Sequence, residues 1–152
     1  GVQTCALPIY RDGIVPDSAS NGLESEAHEA LSEARASIAR LKVHEAFASA
    51  MDLARAANVY VEERQPWAQA KDPAQASELD ETLSTLAHVL VVLCALFQPV
   101  APEKMGVLAE RLGLDGVPTL DQAIATEMAG RSVTSGNPLF PRVDPTWANS
   151  ED

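Results

Sequence analysis

The chain has 152 residues, 46% of them hydrophobic but only 5% aromatic, and a formal net charge of −11 at pH 7. That length allows one domain with a real core, and aliphatics that are mostly Ala, Leu and Val favour helices over strands. The acidity argues against a stand-alone binder of phosphate backbones, because phosphate neutralisation by basic residues supplies most non-specific affinity. If the chain meets nucleic acid, its acid lies on other faces or a separate region brings the positive surface.

Residues Gly1 to Ile9 do not match the rest of the chain in character. They resemble a translated sequencing-adapter remnant, lack the basic start and apolar core of a signal peptide, and are set aside as a non-native leader. Tyr10-Arg11-Asp12-Gly13-Ile14-Val15-Pro16 reads as the tail of an element followed by a turn, since Asp-Gly is a turn signal and Pro16 bars helix at Val15. Asp17 to Gly22 is a small, polar connector. From Leu23 the apolar residues Ala27, Leu31, Ala34, Ile38 and Leu41 step by three or four and predict a helix with one buried stripe. Glu24, Glu26, Glu29 and Glu33 crowd its early turns and Arg35, Arg40 and Lys42 its end, a distribution suited to the helix dipole and to a solvated face.

A second helix is predicted from about His44 to Arg64. Phe47, Met51, Ala54, Asn58 and Val61 form one stripe, and Ala46, Ala50, Leu53, Ala57 and Tyr60 form its neighbour, so the helix packs on more than one partner. Asn58 is the polar member of an apolar stripe and reads as a core amide that fixes register, ahead of a ligand contact. Pro66 then breaks the chain and Trp67 comes next, on a turn that proline pins.

Asp72-Pro73-Ala74-Gln75 opens the next helix, with Asp72 as N-cap, Pro73 at the first position and Gln75 able to reach back as in a capping box. Leu79, Leu83, Leu86, Leu90, Leu93 and Phe97 supply its stripe, and Val89, Val91, Val92 and Leu96 make its second half apolar all round and therefore central. The run Val89 to Phe97 is too short to span a bilayer, so no membrane is expected. Pro102 starts a further helix holding Met105, Leu108 and Leu112, which stops at Gly113; Thr119-Leu120-Asp121-Gln122 has capping-box form and opens a short turn of helix through Ile124. From Gly130 the sequence becomes an extended strap with Leu139, Phe140 and Val143 as anchors, and residues 144–152 read as a disordered tail. The sum is an all-α helical bundle with an extended C-terminal strap.

Chemistry-bearing motifs are scarce. No glycine-rich phosphate loop, Gly-x-Ser-x-Gly, HExxH or CxxC occurs. His28, His44 and His88 lie on separate helical segments, and His88 reads as a core or boundary histidine. Cys5 and Cys94 form neither a metal-ligand spacing nor a disulfide framework, and Cys94, inside Val-Leu-Cys-Ala-Leu, reads as a buried free thiol. No catalytic or metal-ligating residue is assigned, and a reducing cytoplasm is the expected compartment. What remains is Trp67 with Arg64 and Lys71 on either side. An exposed tryptophan beside cations can stack on an unpaired base, as in the single-stranded loops where proteins read RNA. From the residues alone, a core wedge between two helices is the preferred reading of the same side chain.

The stretch Asn58-Val59-Tyr60-Val61-Glu62 through Pro66-Trp67 and Lys71-Asp72 resembles, in order and spacing, the signature of the anticodon-binding domain of methionyl-tRNA synthetases. Val59 departs from it, since many members carry a basic residue there. Asp12-Gly13-Ile14-Val15-Pro16, Gln98-Pro99-Val100-Ala101-Pro102-Glu103 and Leu139-Phe140-Pro141-Arg142-Val143 are similar to the family's turn, its Pro-x-x-Pro-Glu break and its closing Leu-Phe-Pro-Arg-Ile. The resemblance runs from Tyr10 to Val143. Related isoleucyl, leucyl and valyl enzymes carry Pro-His where this chain has Pro102-Glu103, which favours the methionyl member. It implies an anticodon-binding domain over residues 10–143, truncated at its N-terminal helix, with Trp67 at the anticodon and Asn58, Arg64 and Lys71 in support. The implied partners are the anticodon loop of tRNA(Met) and a catalytic domain of the same chain, which would hold ATP and, in some members, zinc. The competing reading is a structural helical bundle whose partner is protein.

Overall fold

The computed structural model of the chain describes residues 10–141. The leader 1–9, the tail 144–152 and the anchor Val143 lie outside those residues. Helices α1 (Glu24–Ala39), α2 (Val43–Arg64), α3 (Pro66–Gln69), α4 (Ala76–Phe97), α5 (Pro102–Arg111) and α6 (Leu120–Ala123) come in that order, with 3₁₀ turns at Arg11–Gly13 and Pro73–Gln75. Strand pairing among the described residues is confined to an isolated antiparallel bridge, Ile14 to Ser132. The all-α bundle expected from composition and periodicity is the fold.

Helix α4 is the centre. From Thr82 to Leu96 every residue except His88 is buried, and α1, α2, α3, α5 and α6 all pack on it. With the turn before it, Pro73–Phe97 makes a 25-residue run long and apolar enough to cross a bilayer, but 83% of its most apolar window is enclosed by the protein. Enclosure, rather than the shortness of the Val89–Phe97 run, is what identifies it as a core helix.

The predicted caps hold except at Gln75. Asp72 accepts the Ala74 N–H at 3.0 Å. Gln75 departs from the capping-box expectation: its Nε2 donates to the Asp72 carboxylate at 3.3 Å instead of accepting from backbone. Thr119 and Gln122 form the complete box, side chain to backbone in both directions. Helix α5 ends in a Schellman arrangement around Gly113, where the Leu114 N–H reaches the Ala109 carbonyl and the Gly113 N–H the Glu110 carbonyl, both at 3.0 Å.

Other expectations are corrected. The α1 stripe buries Ala27, Leu31 and Ala34 but not Ile38, 45% exposed, or Leu41, 89% exposed. The helix ends at Ala39 and Leu41 turns the chain at φ +60°, away from the core; Ser37 is buried in their place. On α2 the core-facing stripe is Ala46, Ala50, Leu53 and Ala57, small residues that let α1 approach closely; the Phe47 stripe lies at its edge. Arg35 keeps to the solvated face and also donates to the Leu120 carbonyl and pairs with Asp121 at 2.7 Å, tying α1 to α6.

Of the strap's expected anchors, Leu139 packs against the core but Phe140 does not. Phe140 is 64% exposed, whereas Met128 and Val133 are buried. The strap pairs with the N-terminal segment: the Val15 N–H donates to the Arg131 carbonyl at 3.0 Å and the Val133 N–H to the Gly13 carbonyl at 2.7 Å. That pairing pins Val15 in the core. Gly113 sits at φ +68°, where a Cβ would lie 2.7 Å from the Ser132 carbonyl oxygen, while a Cβ on Gly116 meets nothing within 4 Å. Gly113→Ala is therefore expected to cost at least about 1–2 kcal/mol, a fall in Tm of roughly 2–8 °C. Gly116→Ala is expected to stay within about 0.5 kcal/mol of the parent. Thermal melts followed by circular dichroism of both variants check this.

Candidate nucleic-acid interface

The junction between α2 and α4 carries the exposed tryptophan. Helix α2 ends at Arg64, and Gln65 takes a left-handed conformation, φ 47° and ψ 61°, with its N–H still bonded to the Val61 carbonyl at 3.0 Å. Pro66 enters α3 at its first position, where a missing N–H costs nothing. Pro66 and Gln69, one helical turn apart, face inward and are buried against α4; Trp67 and Ala68 face out. The indole is 47% exposed. Trp67 is thus a presented side chain and not an enclosed wedge.

The cations of the described residues divide. Arg11, Arg35, Arg40, Lys42, Arg55 and Arg64 are engaged with carboxylates, and Arg111 and Arg131 with backbone carbonyls. Among the described residues Lys71 and Lys104 keep side chains with no hydrogen bond or ion pair, and Lys71 is exposed just beyond α3. Arg64 turns inward: its Nε donates to Thr82 Oγ1 at 3.2 Å, its Nη2 lies 3.5 Å from Glu81, and its Cζ stands 5.7 Å from the centre of the Tyr60 ring. At 3.5 Å the Glu81 contact is a charge pairing without a good hydrogen bond, which is why the buried Nη2 has no hydrogen-bond acceptor. Asn58 is half-buried on α2, and its amide takes no hydrogen bond from the described residues; the register-fixing amide expected from its stripe is not formed.

The four candidates therefore share one end of the bundle but not one role: Trp67 and Lys71 point to solvent, Arg64 to α4. Sequence reasoning did not find Thr82 or Glu81. Their partner Arg64 lies on another helix, eighteen residues from Thr82, and no local pattern signals such a pairing. Part of the acidity is placed elsewhere: a groove of about 280 Å³ between α1 and α2 is lined by Glu26, Glu29, Glu33 and Asp52.

Away from this end, Cys94 is buried, its Sγ donating to the Met105 carbonyl at 3.3 Å, and burial pushes its thiol up to about 11. It is an inert thiol at pH 7. A cleft of about 240 Å³ between the N-terminal connector, α4 and the segment after α6 is lined by Val15, Ser84, His88, Ile124 and Met128 among others. Ser84 is occupied by its bond to the Pro16 carbonyl at 2.8 Å. Among the described residues no group of three or more His, Cys, Asp and Glu side chains could hold a metal ion.

A helical bundle that presents a tryptophan on a proline-broken turn, with an unpaired lysine beside it, belongs to the class of binding modules. Residues 21–109 match the family model for the anticodon-binding domain of tRNA ligase. The chain is a member of that family. It is 34% identical over 143 residues to the methionine–tRNA ligase of Deinococcus radiodurans, which covers 90% of this chain and 21% of that protein. It is 31% identical over 144 residues to that of Enterococcus faecalis, covering 89% of this chain and 22% of the relative. The chain thus spans about a fifth of the length of the curated relatives it matches. Among solved structures, the apo Mycobacterium tuberculosis methionyl-tRNA synthetase superposes with a TM-score of 0.84 at 24% identity, over 95% of this chain and 31% of that one. That likeness supports the fold.

His88 offers a test of the packing around α4. Burial lowers its imidazole below the ordinary 6.5, with Glu24 and Glu127 opposing and His28 reinforcing the shift. The unfolded chain then takes up the proton before the folded one. The stability contributed by neutral His88 is full above the unfolded value and is lost as pH falls from 6.5 toward the lower folded value. Urea midpoints measured between about pH 7 and pH 5 should fall more steeply for the parent than for His88→Gln.

Proposed function

We propose that this chain is the anticodon-reading portion of a methionine–tRNA ligase, binding the anticodon loop of tRNA(Met). The observation that carries the proposal is the half-exposed side chain of Trp67 on a turn anchored by buried Pro66 and Gln69. Trp67 stacks on an unpaired loop base, and Lys71 neutralises an adjacent phosphate. Identity above 30% to methionine–tRNA ligases over most of the chain supports the choice of tRNA. The relatives' name, methionine–tRNA ligase, supports reading the longer protein as one that charges tRNA with methionine; activation with ATP and a cytoplasmic compartment are part of the same proposal. ATP, and zinc where a member carries it, belong to a catalytic domain outside this chain.

A second reading, a bundle that binds protein, is favoured by one observation. Leu41, Val43 and Val100 are 89%, 61% and 56% exposed at the end of the bundle away from Trp67. Both readings are separable by where RNA acts.

In a Trp147→Phe background, Trp67 is the sole tryptophan. A stem-loop with a CAU loop should quench its fluorescence, and a loop-scrambled stem should not. Trp67→Ala should weaken binding by about 1–3 kcal/mol, the worth of one stacked base, while leaving the melting transition close to the parent's. A variant that unfolds while the parent's RNA binding is unchanged by loop sequence would remove Trp67 from the site.

A further inference from the structure

We infer that Arg64 is a positioning residue for the anticodon contact: it ties the end of α2 to α4 and so fixes the direction in which Trp67 is presented. The inference rests on the proposed anticodon contact and deepens it, because sequence alone makes Arg64 a plausible phosphate ligand. Its surroundings argue otherwise. The Thr82 hydroxyl gives its proton to the Glu78 carbonyl at 2.8 Å, so toward Arg64 it acts only as an acceptor. The guanidinium is thereby held between Thr82, the Glu81 carboxylate and the face of Tyr60. The Tyr60 ring is itself wedged beside Gly22, where an added Cβ would fall 2.3 Å from its Cε2. Nε and Nη2 of Arg64 are thus both committed inside the bundle, and Glu81 already opposes its charge.

The backbone shows the effect of the tie. Gln65, the next residue, is a non-glycine in the left-handed region. Such strain persists where the surroundings over-determine it. Here buried Pro66 holds one side of Gln65 and the Arg64 tie holds the other. Only Gln65 and Pro66 separate Arg64 from Trp67, so a loosened α2 end passes directly into the indole's direction. Stacking on a base tolerates little misplacement. Among the described residues near this turn, Lys71 is the exposed cation without a protein partner, and it is the one available to a phosphate.

The test uses the 152-residue chain with Trp147→Phe, comparing Arg64→Met, Thr82→Val and Lys71→Ala. Thr82→Val is isosteric, uncharged and leaves every cation in place. Binding of the CAU stem-loop is measured across a salt series, and acrylamide quenching of Trp67 is measured without RNA. A phosphate ligand contributes about 0.7 to the slope of log K against log salt for single-stranded RNA. Positioning predicts that Arg64→Met and Thr82→Val both weaken binding about tenfold, most of one stacked base, with the parent's slope, and that both change the quenching constant. Lys71→Ala should lower the slope by about 0.7. The inference is overturned if Arg64→Met lowers the slope while Thr82→Val binds and quenches as the parent does. Should the parent ignore the RNA, the anticodon reading fails, and the quenching constants alone then decide the positioning claim: changed in both variants upholds it, unchanged overturns it.

Discussion

A helix that is apolar on every side must be enclosed on every side, and α4 imposes that condition on the rest of the chain. Its second half offers no face to water apart from the edge at His88. Each other element is placed by the need to cover it: the α1–α2 hairpin on one flank, α5 and α6 on others, and the paired N-terminal and strap segments between them. Burying these side chains supplies the main drive to fold, and the alanines along the inner faces of α1 and α2 let the two helices approach closely.

The presented turn is a consequence of that enclosure. Helix α2 must end and reverse so that α4 can begin beside it, and the reversal is made by Gln65 in a strained conformation followed by a proline. Covering the first turns of α4 takes Pro66 and Gln69 inward; the pitch of a helix then sends Trp67 outward. The exposed aromatic is thus a geometric by-product of covering α4 that a partner can use. The charge of −11 does not contradict this, because much of the acid lines the α1–α2 groove or pairs with arginines that tie elements together.

Much of this was legible in the sequence, and the reasons are local. Periodicity gave the helices, and Asp72, Thr119 and Gly113 gave their ends, because capping depends on residues within one turn. The resemblance located Trp67 and the family. What escaped was long-range. Ile38 and Leu41 continue a periodic stripe, yet Ile38 sits exposed in the last turn of α1 and the helix has ended before Leu41. Phe140 looked like an anchor because it is large; Val133 and Val15 are the residues buried, because backbone pairing between distant segments puts them there. The inward turn of Arg64 depends on Thr82 and Glu81 of another helix, and no spacing rule connects them.

The central claim is that RNA is read at the Trp67 end of the bundle and not at its apolar far end. The most direct measurement is a ¹⁵N chemical-shift titration of the chain with the CAU stem-loop. Perturbations should cluster on the Trp67 indole N–H and the backbone of Gln65 to Lys71, with Leu41, Val43 and Val100 unmoved. Perturbations confined to those three residues, or none at Trp67 at saturating RNA, would contradict it.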